Sequence, residues 1–407
     1  MRSVEEHRAA LLDGIEPLSP LELMLLDAYG CTIAHDVVPQ RPLPWVDCAA
    51  LDGYAVRSAE VAAASASNPV TMAVGGDVIV TSAGVDSLPV GQALRVTSGA
   101  PLPAGADCVV PMRETDAGIV QVSITASVPA GANVRPAGGD VAAGTVVLPA
   151  GTRLGPTQVG LLSALGLGRV LARPRPRVVV IATGSELIEP GASEMPGRHP
   201  DVDSYLLATA VSQCGATAYR VGMVADDPRE LIDAVDDQLV RADLVVLTGG
   251  VSDRPGEVVR AAFDRNASVD FVEVAITPGT WFGHGRVGPD ETPLIVLPGS
   301  PVAAYVGFEV FVRPVLRRML GAEPLDRPTV RASLIGDVTS APASREYLPA
   351  RLEVDGGRYV VSVLGGRGTH QIAALAAANA MVVVPEEVTR LTEAEAVTVV
   401  VLERRAA

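Results

Sequence analysis

Aromatic side chains and paired cysteines are scarce in this chain of 407 residues, and each shortage excludes a class of protein. Aromatic residues make up only 3%, so the hydrophobic cores must be built from Val, Leu, Ile and Ala. The four cysteines form no C-x-x-C pair and the five histidines are scattered along the chain. This pattern predicts reduced thiols and disfavours a zinc site.

Long apolar runs are also missing, although a bilayer span requires about 20 such residues. The longest candidate, residues 372–385, is short and rich in alanine. The N-terminal segment MRSVEEHRAA lacks the apolar stretch of a signal peptide. These absences predict a cytoplasmic protein that does not insert directly into a membrane.

Positive charge is in deficit, with a formal net charge of −15. Nucleic-acid binding requires clustered basic residues that neutralise phosphates, so this composition disfavours it. A small anionic ligand held locally is still compatible with the charge. The length exceeds the roughly 100–200 residues of a typical domain, and 48% of the residues are hydrophobic, which predicts several domains with sizeable cores.

Helix-capping patterns predict two helices at the start of the chain. Ser3 and Glu6 have the spacing of a capping box, which predicts the first helix. Ser19, Pro20 and Glu22 repeat the pattern, with Pro at the first helical position, and predict the second.

The next segments change in character. From Pro39 to about Pro149, short Val-rich runs alternate with Gly and Pro turns, which is typical of β structure. A helix is predicted at 157–165, and the Arg-Pro joint at 173–177 predicts a domain boundary. After Pro328, strand-like runs return, with one Ala-rich helix near 372–378.

The centre of the chain alternates strands and helices. This alternation predicts a parallel sheet with helices on both faces. Asp227 is predicted to cap one helix, and Pro314 is predicted to kink another. The predicted strands span 177–182, 218–225, 244–247 and 292–297, and the predicted helices span 204–213, about 228–240 and 301–320.

Four of the central strands end in polar or Gly-rich turns. Ligands of open α/β sheets bind outside the carboxyl ends of the strands, and glycine lets the backbone approach a ligand. The last turn also opens a helix, whose free N–H groups suit an anion. Any one turn could simply end its strand, but four at one sheet edge favour a shared ligand crevice. The turns span 182–186, 224–227, 248–252 and 297–301.

Carboxylates follow the same strand ends. Glu186, Asp226 and Glu257 are expected there, with Asp203 nearby in sequence. Converging carboxylates suit a hard cation such as Mg²⁺. Helix capping is the alternative for Asp226, and a first-turn carboxylate is the alternative for Glu257.

The motifs resemble those of the MoeA and gephyrin E-domain family, the molybdopterin molybdenumtransferases, nearly from end to end. Each motif is moderately specific, but their common order makes a chance match very improbable. The matching stretches are LDGYAV at 51–56, VTSGAPLPAGAD at 96–107, GANVRPAGGD at 131–140, TGSEL at 183–187, GGVS at 249–252, LPGSPVAAYVGFE at 297–309, GTH at 368–370 and AAN at 377–379.

The resemblance implies a multi-domain α/β plus β fold in four parts. The central α/β domain with a parallel sheet would bind molybdopterin, and the C-terminal β domain would be barrel-like. It also implies a homodimer whose cleft is shared between the central domain of one subunit and the inserted β domain of the other. The implied boundaries are 1–40 with 150–172 for a helical linker and dimerisation domain, 41–149 for the inserted β domain, 173–323 for the central domain and 324–407 for the C-terminal domain.

The implied reaction is insertion of molybdate into adenylylated molybdopterin, with Mg²⁺ and release of AMP. Glu186 and Asp226 would hold the metal. Residues matching family positions that affect activity are Asp52, Ser98, Asp140, Glu186, Asp226 and Glu257. Residues matching the cofactor-binding turns are Thr183, Gly184, Gly249, Gly250, Ser252, Pro298, Gly299, Ser300 and Thr369.

The chain departs from the family at several of these positions. The usual Lys-Pro-Gly-Lys segment reads Thr-Pro-Gly-Thr at 277–280, which removes two cations that could hold molybdate or phosphate. Each charge-assisted contact is worth roughly 1.5–3 kcal/mol. The candidate replacements in the sequence are Arg286, Arg345 and Arg351. The other departures are Ser98 for Thr, Tyr205 for Asn, Glu257 for Asp and Ser300 for Asn.

The lost cations leave a second function open. A gephyrin-like scaffold would keep the fold and bind a partner peptide, such as the tail of the cell-division protein FtsZ, with reduced or lost catalysis. Other proteins of cofactor biosynthesis are further possible partners. The choice of molybdate over tungstate is not fixed by the sequence.

Overall fold

The computed structural model describes residues 1–81, 87–193, 195–254, 257–263, 269–366 and 368–402. At its centre lies a six-stranded sheet in the order β2-β1-β3-β6-β5-β4. Strands β1, β2, β3 and β6 are parallel neighbours. Strand β5 pairs antiparallel with both β6 and β4, so β4 again runs in the direction of the first four. The strands are β1 (Arg177–Thr183), β2 (Thr217–Val224), β3 (Leu244–Thr248), β4 (Val269–Glu273), β5 (Trp281–Val287) and β6 (Thr292–Leu297).

The four strands predicted from the sequence, β1, β2, β3 and β6, are parallel, as predicted. Strands β4 and β5 extend the sheet at one edge and were not predicted, and β5 is antiparallel to its neighbours. Only residues 288–291 separate β5 from β6, and so short a connection can join antiparallel strands only. Chain length between the two strands, rather than their composition, set the direction.

Helices cover both faces of this sheet, as predicted. Alternate strand residues point to opposite sides, so Val178 and Val180 enter one core while Val179 and Ile181 enter the other. The helices are α1 (Asp203–Cys214), α2 (Pro228–Leu239), α3 (Val258–Phe263), α4 (Pro301–Gly307) and α5 (Arg313–Met319).

Two local predictions about these helices can be compared with the structure. Asp227 caps α2 by accepting hydrogen bonds from the N–H groups of Arg229 and Glu230, as predicted. A π-helical turn, Phe308–Val312, joins α4 to α5 just before Pro314. The widened turn accommodates a residue that has no N–H to donate.

The N-terminal helix, Val4–Leu12, packs against the central domain. Its Ser3–Glu6 capping box forms as predicted. His7 is fully buried against Phe282 and Phe311, at ring centroid distances of 5.7 and 4.8 Å. Burial lowers the pKa of His7 to about 3, so this helix is docked through a neutral ring.

The second predicted helix is wrong. Leu21–Met24 is a strand that pairs antiparallel with Arg169–Arg173, which also pairs with Thr32–Ile33. The capping pattern at Ser19 was overridden by this long-range pairing. The predicted helix at 157–165 forms as Pro156–Ala164.

The region between these segments is β structure, as predicted. A five-stranded sheet takes the order Cys108–Pro111, Gly53–Val56, Gln92–Val96, Val70–Val78 and Gln121–Ile124. A separate pair, Cys48–Ala49 with Val134–Arg135, lies beside it.

The C-terminal region forms a closed five-stranded barrel. Closure comes from the pairing of Arg345–Asp355 with Ala380–Val384. The remaining strands are Arg358–Val363, Thr329–Ile335 and Ala396–Val401. Ile276–Thr277 of the central domain pairs parallel with Arg345 and Glu346 at the start of the long strand, and a short helix, Ile372–Ala377, precedes the closing strand.

The smaller elements complete the description. Leu187–Ile188 pairs with His199–Pro200, and Val338–Thr339 pairs with Arg390–Leu391. In the part of the chain that the structure describes, no helix has the length and apolarity required to cross a membrane.

Candidate active-site cleft

A cavity of about 930 Å³ opens at the carboxyl ends of β1, β3 and β6, the edge that the sequence predicted. We refer to it as the cleft. The predicted site residues that border it are Thr183, Gly184, Glu186, Asp226, Gly249, Gly250, Ser252, Glu257, Pro298, Gly299 and Ser300.

Close backbone contact explains the glycines of these turns. A Cβ atom on Gly249 would lie 2.7 Å from the carbonyl oxygen of Thr183, and one on Gly299 would lie 2.8 Å from the Cα of Gly249. Gly249 and Gly250 also have φ values of +93° and +59°. Any larger residue would push the three turns apart and strain the backbone.

Threonine hydroxyls tie the same strand ends together. The hydroxyl of Thr183 donates to the carbonyl of Thr248 at 3.2 Å, and the hydroxyl oxygen of Thr248 lies 3.0 Å from the carbonyl oxygen of Pro298. The floor of the cleft is therefore held by hydrogen bonds between neighbouring strands.

The start of α4 faces this floor. Ser300 is its N-cap residue, but the side chain makes no capping bond to the helix. The free N–H groups predicted at this helix start are largely missing, because Pro301 has no N–H and that of Val302 donates to the carbonyl of Thr369 at 3.1 Å. Thr369, predicted to contact the ligand, therefore meets the helix through its carbonyl. The next residue, His370, borders the cleft.

The three predicted carboxylates reach the cleft in different ways. Asp226 accepts from the N–H of Ser185 at 2.9 Å, while the N–H of Asp226 donates to the Ser185 hydroxyl at 2.9 Å. Glu257 accepts from the hydroxyl of Ser252 at 2.6 Å. The carboxylate of Glu186 folds over Gly184, where an added Cβ would meet it at 2.7 Å.

Asp203 is a cleft carboxylate to which the sequence gave no role. It is 8% exposed and accepts from the hydroxyl of Thr248 at 3.1 Å, but its other oxygen, Oδ1, is buried and has no partner in the described part of the chain. Burial, assisted by the charge of Asp201, raises the pKa of Asp203 to about 6. The hydrogen bond from Thr248 acts in the opposite direction and lowers this pKa. The signal in the sequence was an aspartate that opens α1 immediately beside the predicted crevice.

Negative charge dominates this cleft. Its lining includes five carboxylates, Glu186, Asp201, Asp203, Asp226 and Glu257. Within the described ranges, no three His, Cys, Asp or Glu side chains are grouped closely enough to hold a metal by themselves. Any cation bound here would therefore need ligands from the substrate as well.

The chain contains no lysine, so only arginine can supply a permanent side-chain cation. Arg254 borders the cleft, and it is the only arginine among the described lining residues. The three arginines proposed from the sequence are engaged elsewhere. Arg286 donates to the carbonyls of Gly14 and Glu291, Arg345 pairs with Glu5 and Glu386, and Arg351 lies 3.7 Å from Glu353.

Three predicted residues lie in the inserted β domain and do not border the cleft of their own chain. Asp52 accepts from the N–H of Ser98 at 2.7 Å, and the Ser98 hydroxyl donates to the carbonyl of Ala50 at 3.2 Å. We call this group the Asp52 corner. Asp140 borders a separate cavity of about 560 Å³ together with Arg135.

Three protein-family models match consecutive stretches that together cover most of the chain. Residues 2–166 match the model of the MoeA N-terminal region (domain I and II), residues 179–318 that of the probable molybdopterin binding domain, and residues 331–402 that of the MoeA C-terminal region (domain IV). Molybdopterin molybdenumtransferase 1 of Mycobacterium tuberculosis is 40% identical, with 99% of each chain aligned. The chain belongs to the MoeA family.

Further relatives agree with this assignment. The second Mycobacterium tuberculosis molybdopterin molybdenumtransferase is 39% identical over 95% of this chain and 96% of its own. The Bacillus subtilis molybdopterin molybdenumtransferase is 30% identical over 89% of this chain and 85% of its own. The crystal structure of the MoeA molybdopterin biosynthesis protein from Pyrococcus horikosii superposes with a TM-score of 0.82, 28% identity and 99% of each chain covered. The resemblance and fold class inferred from the motifs are confirmed.

Proposed function

We propose that this MoeA family member is a molybdopterin molybdenumtransferase, which inserts molybdate into adenylylated molybdopterin with release of AMP in molybdenum cofactor biosynthesis. The observation that supports it is the cleft itself, which lies in the region matched by the molybdopterin binding domain. There, glycine turns let backbone N–H groups approach a ligand beside carboxylates. Such groups suit the phosphates of a nucleotide-bearing pterin.

We propose Mg²⁺ as the cation of the cleft. Glu186 and Asp226 would hold it, with phosphate oxygens and waters completing its ligands, because Mg²⁺ uses one or two carboxylates plus substrate phosphates. The oxygen-only donors present fit this metal. When bound, Mg²⁺ polarises the phosphoryl oxygens. Without it, the five carboxylates would repel an anionic substrate.

The protein's own groups position the reacting ends. The backbone N–H groups of the turn at Gly299 and Ser300, just before α4, would hold phosphate, and the turn at Gly249 and Gly250 lets the backbone approach the ligand. Ser185 and Ser252 fix the carboxylates of Asp226 and Glu257 by hydrogen bonds, so these groups are oriented before the substrate arrives.

A homodimer is part of the proposal. The Asp52 corner does not border the cleft of its own chain, so its family-matched residues would act only if a second subunit brought them to the cleft. A cytoplasmic location and contacts with other cofactor-biosynthesis proteins are proposed with it. The named curated relatives are transferases, which favours catalysis over the scaffold that binds an FtsZ tail.

The test is AMP release from adenylylated molybdopterin by the purified full chain with molybdate and Mg²⁺. The proposal expects release that stops when EDTA removes the metal and resumes on adding Mg²⁺. The Bacillus subtilis relative, assayed in parallel, controls for substrate quality. If that enzyme releases AMP and this protein does not, the proposed function is wrong.

A further inference from the structure

A tryptophan borders the cleft, and neither the glycine turns nor the carboxylates account for it. Trp281 begins β5, directly after the Thr-Pro-Gly-Thr segment that lacks the usual lysines. It is partly exposed and lines the cavity. Among the described residues that line the cleft, it is the only Phe, Tyr or Trp. Aromatic residues make up only 3% of the chain, so a tryptophan at this cavity suggests a role in ligand binding.

The indole is held by an unusual support. The guanidinium of Arg260, on α3, lies between two rings, with its carbon 4.8 Å from the centroid of Trp281 and 5.0 Å from that of Phe271. Its Nε and Nη2 atoms are buried and have no hydrogen-bond partner among the described residues. Buried N–H groups without such partners are costly, and cation–π contact with the two rings offsets part of that cost.

The same arginine connects the ring to the floor of the cleft. The N–H of Arg260 donates to the carbonyl of Gly250 at 3.3 Å, within a turn that borders the cavity. Phe271, on β4, pairs in register with Gly283 of β5, two residues beyond Trp281. The ring is thus fixed relative to the glycine turns by two elements of secondary structure.

A guanidinium can cover only one face of an indole. Trp281 also borders the cavity, and none of the other described lining residues is a Phe, Tyr or Trp. A flat, rigid aromatic surface of this kind suits a planar heterocycle, because ring stacking is favourable and tolerant of ring identity.

We propose that Trp281, supported by Arg260, is the surface on which the planar nitrogen heterocycle of the ligand stacks. The inference rests on the proposed function, whose substrate carries two such rings, an adenine and a pterin. Trp281 would set the depth and tilt of the ring, while the glycine turns and the Mg²⁺ proposed at Glu186 and Asp226 hold the phosphates.

The chain offers a clean reporter, because Trp45 is its only other tryptophan. In a W45F variant, all tryptophan emission comes from Trp281. Titration with AMP in one arm and with free pterin in the other should give saturable quenching in the arm whose ring stacks. W281F, which retains only Trp45, is titrated identically and corrects for light absorbed by the ligand.

Affinity gives the second measurement. By calorimetry, W281L should bind the quenching ligand at least about 5-fold more weakly, as expected for loss of one stacked ring. W281F should recover most of this loss. R260L, which leaves the indole in place but without its support, should fall between W281L and the wild type. Melting curves establish that each variant is folded.

The outcomes separate the inference from the proposed function. If the wild type releases AMP from its substrate, but W281L binds both ligands and turns over unchanged, the stacking surface is wrong and the transferase stands. Equal quenching of W45F and W281F would likewise overturn the inference. Failure of the wild type itself to turn over adenylylated molybdopterin would instead overturn the proposed function.

Discussion

The cleft and the Asp52 corner are both marked by family motifs, yet they are built in different ways. The cleft gathers residues from Ala182 to Ile372, held together by bonds between neighbouring strand ends. The corner uses residues 50, 52 and 98, bonded within one small domain. The cleft has buried charge and an unpartnered carboxylate oxygen, whereas the bonds of the corner are solvent-exposed. Concentrated charge, rather than the presence of a motif, distinguishes the place where a ligand would bind.

The largest expected effect comes from disabling the two regions separately. Asp52→Asn should abolish turnover, and Asp226→Asn should lower it by roughly 100-fold or more, as for loss of a preoriented charged group. Asn keeps an oxygen that can accept the bonds from Ser98 and Ser185, so both variants should remain folded. AMP release and melting temperature are measured together.

Co-expression of these two variants with different tags shows whether the regions meet across subunits. If each cleft needs Asp226 of one subunit and Asp52 of the other, a mixed dimer has one complete site out of two. Random pairing makes about half of the dimers mixed, so about one quarter of wild-type activity is expected. Each variant expressed alone is the control. Mixed dimers with no recovered activity would show that the two regions act within one chain.

The next effect concerns Arg254, the arginine that borders the cleft. Arg254→Ala should weaken binding of the anionic substrate by about one to two orders of magnitude, the value of a charge-assisted contact, and should raise KM more than it lowers kcat. Arg351→Ala is the matched control, because Arg351 pairs with Glu353 and does not border the cleft. An unchanged KM in Arg254→Ala would mean that another group compensates for the missing lysines.

A stability effect should distinguish the cleft from an ordinary surface. The pKa of Asp203 is raised to about 6 in the folded state from an ordinary value of 3.8. This group therefore favours folding below pH 3.8, and that contribution is lost as the pH rises through 6. Asp203→Asn should stabilise the protein by about 3 kcal/mol at pH 7.5, with the gain vanishing near pH 4.

Urea unfolding at the two pH values provides the measurement. The exposed Asp237→Asn, on α2, changes the same charge without the burial and should alter stability little at either pH. If Asp203→Asn destabilised the protein at pH 7.5, the carboxylate would be a structural group rather than one retained for a ligand.

The smallest effect is expected in the corner. Ser98→Ala removes an exposed hydrogen bond to the carbonyl of Ala50, so turnover should fall roughly 2- to 10-fold, the value of one neutral bond. Ser98→Thr keeps the hydroxyl and should restore the rate. A loss as large as that of Asp52→Asn would show that the Ser98 hydroxyl contacts the substrate.

Local patterns predicted much of the framework because they are read from neighbours in the chain. The cap at Asp227, the capping box at Ser3 and the strand at Thr292–Leu297 form where the sequence placed them. The four turns could be assigned to one edge because parallel strands have their carboxyl ends on the same side.

Long-range packing decided the rest. The pattern at Ser19 predicts a helix, but pairing with Arg169–Arg173 makes the segment a strand. Arg286 and Arg345 have the charge to replace the lost lysines, but their bonds place them outside the cleft.

By itself, the sequence determined the family, the order of the domains and the turns that border the cleft, since each depends on residues close together in the chain. Only the tertiary structure decided which charges share the cleft, that Asp203 lies buried in it, and that Arg260 fixes Trp281 at its edge. Burial and contact arise between residues distant in sequence, so no local pattern contains them.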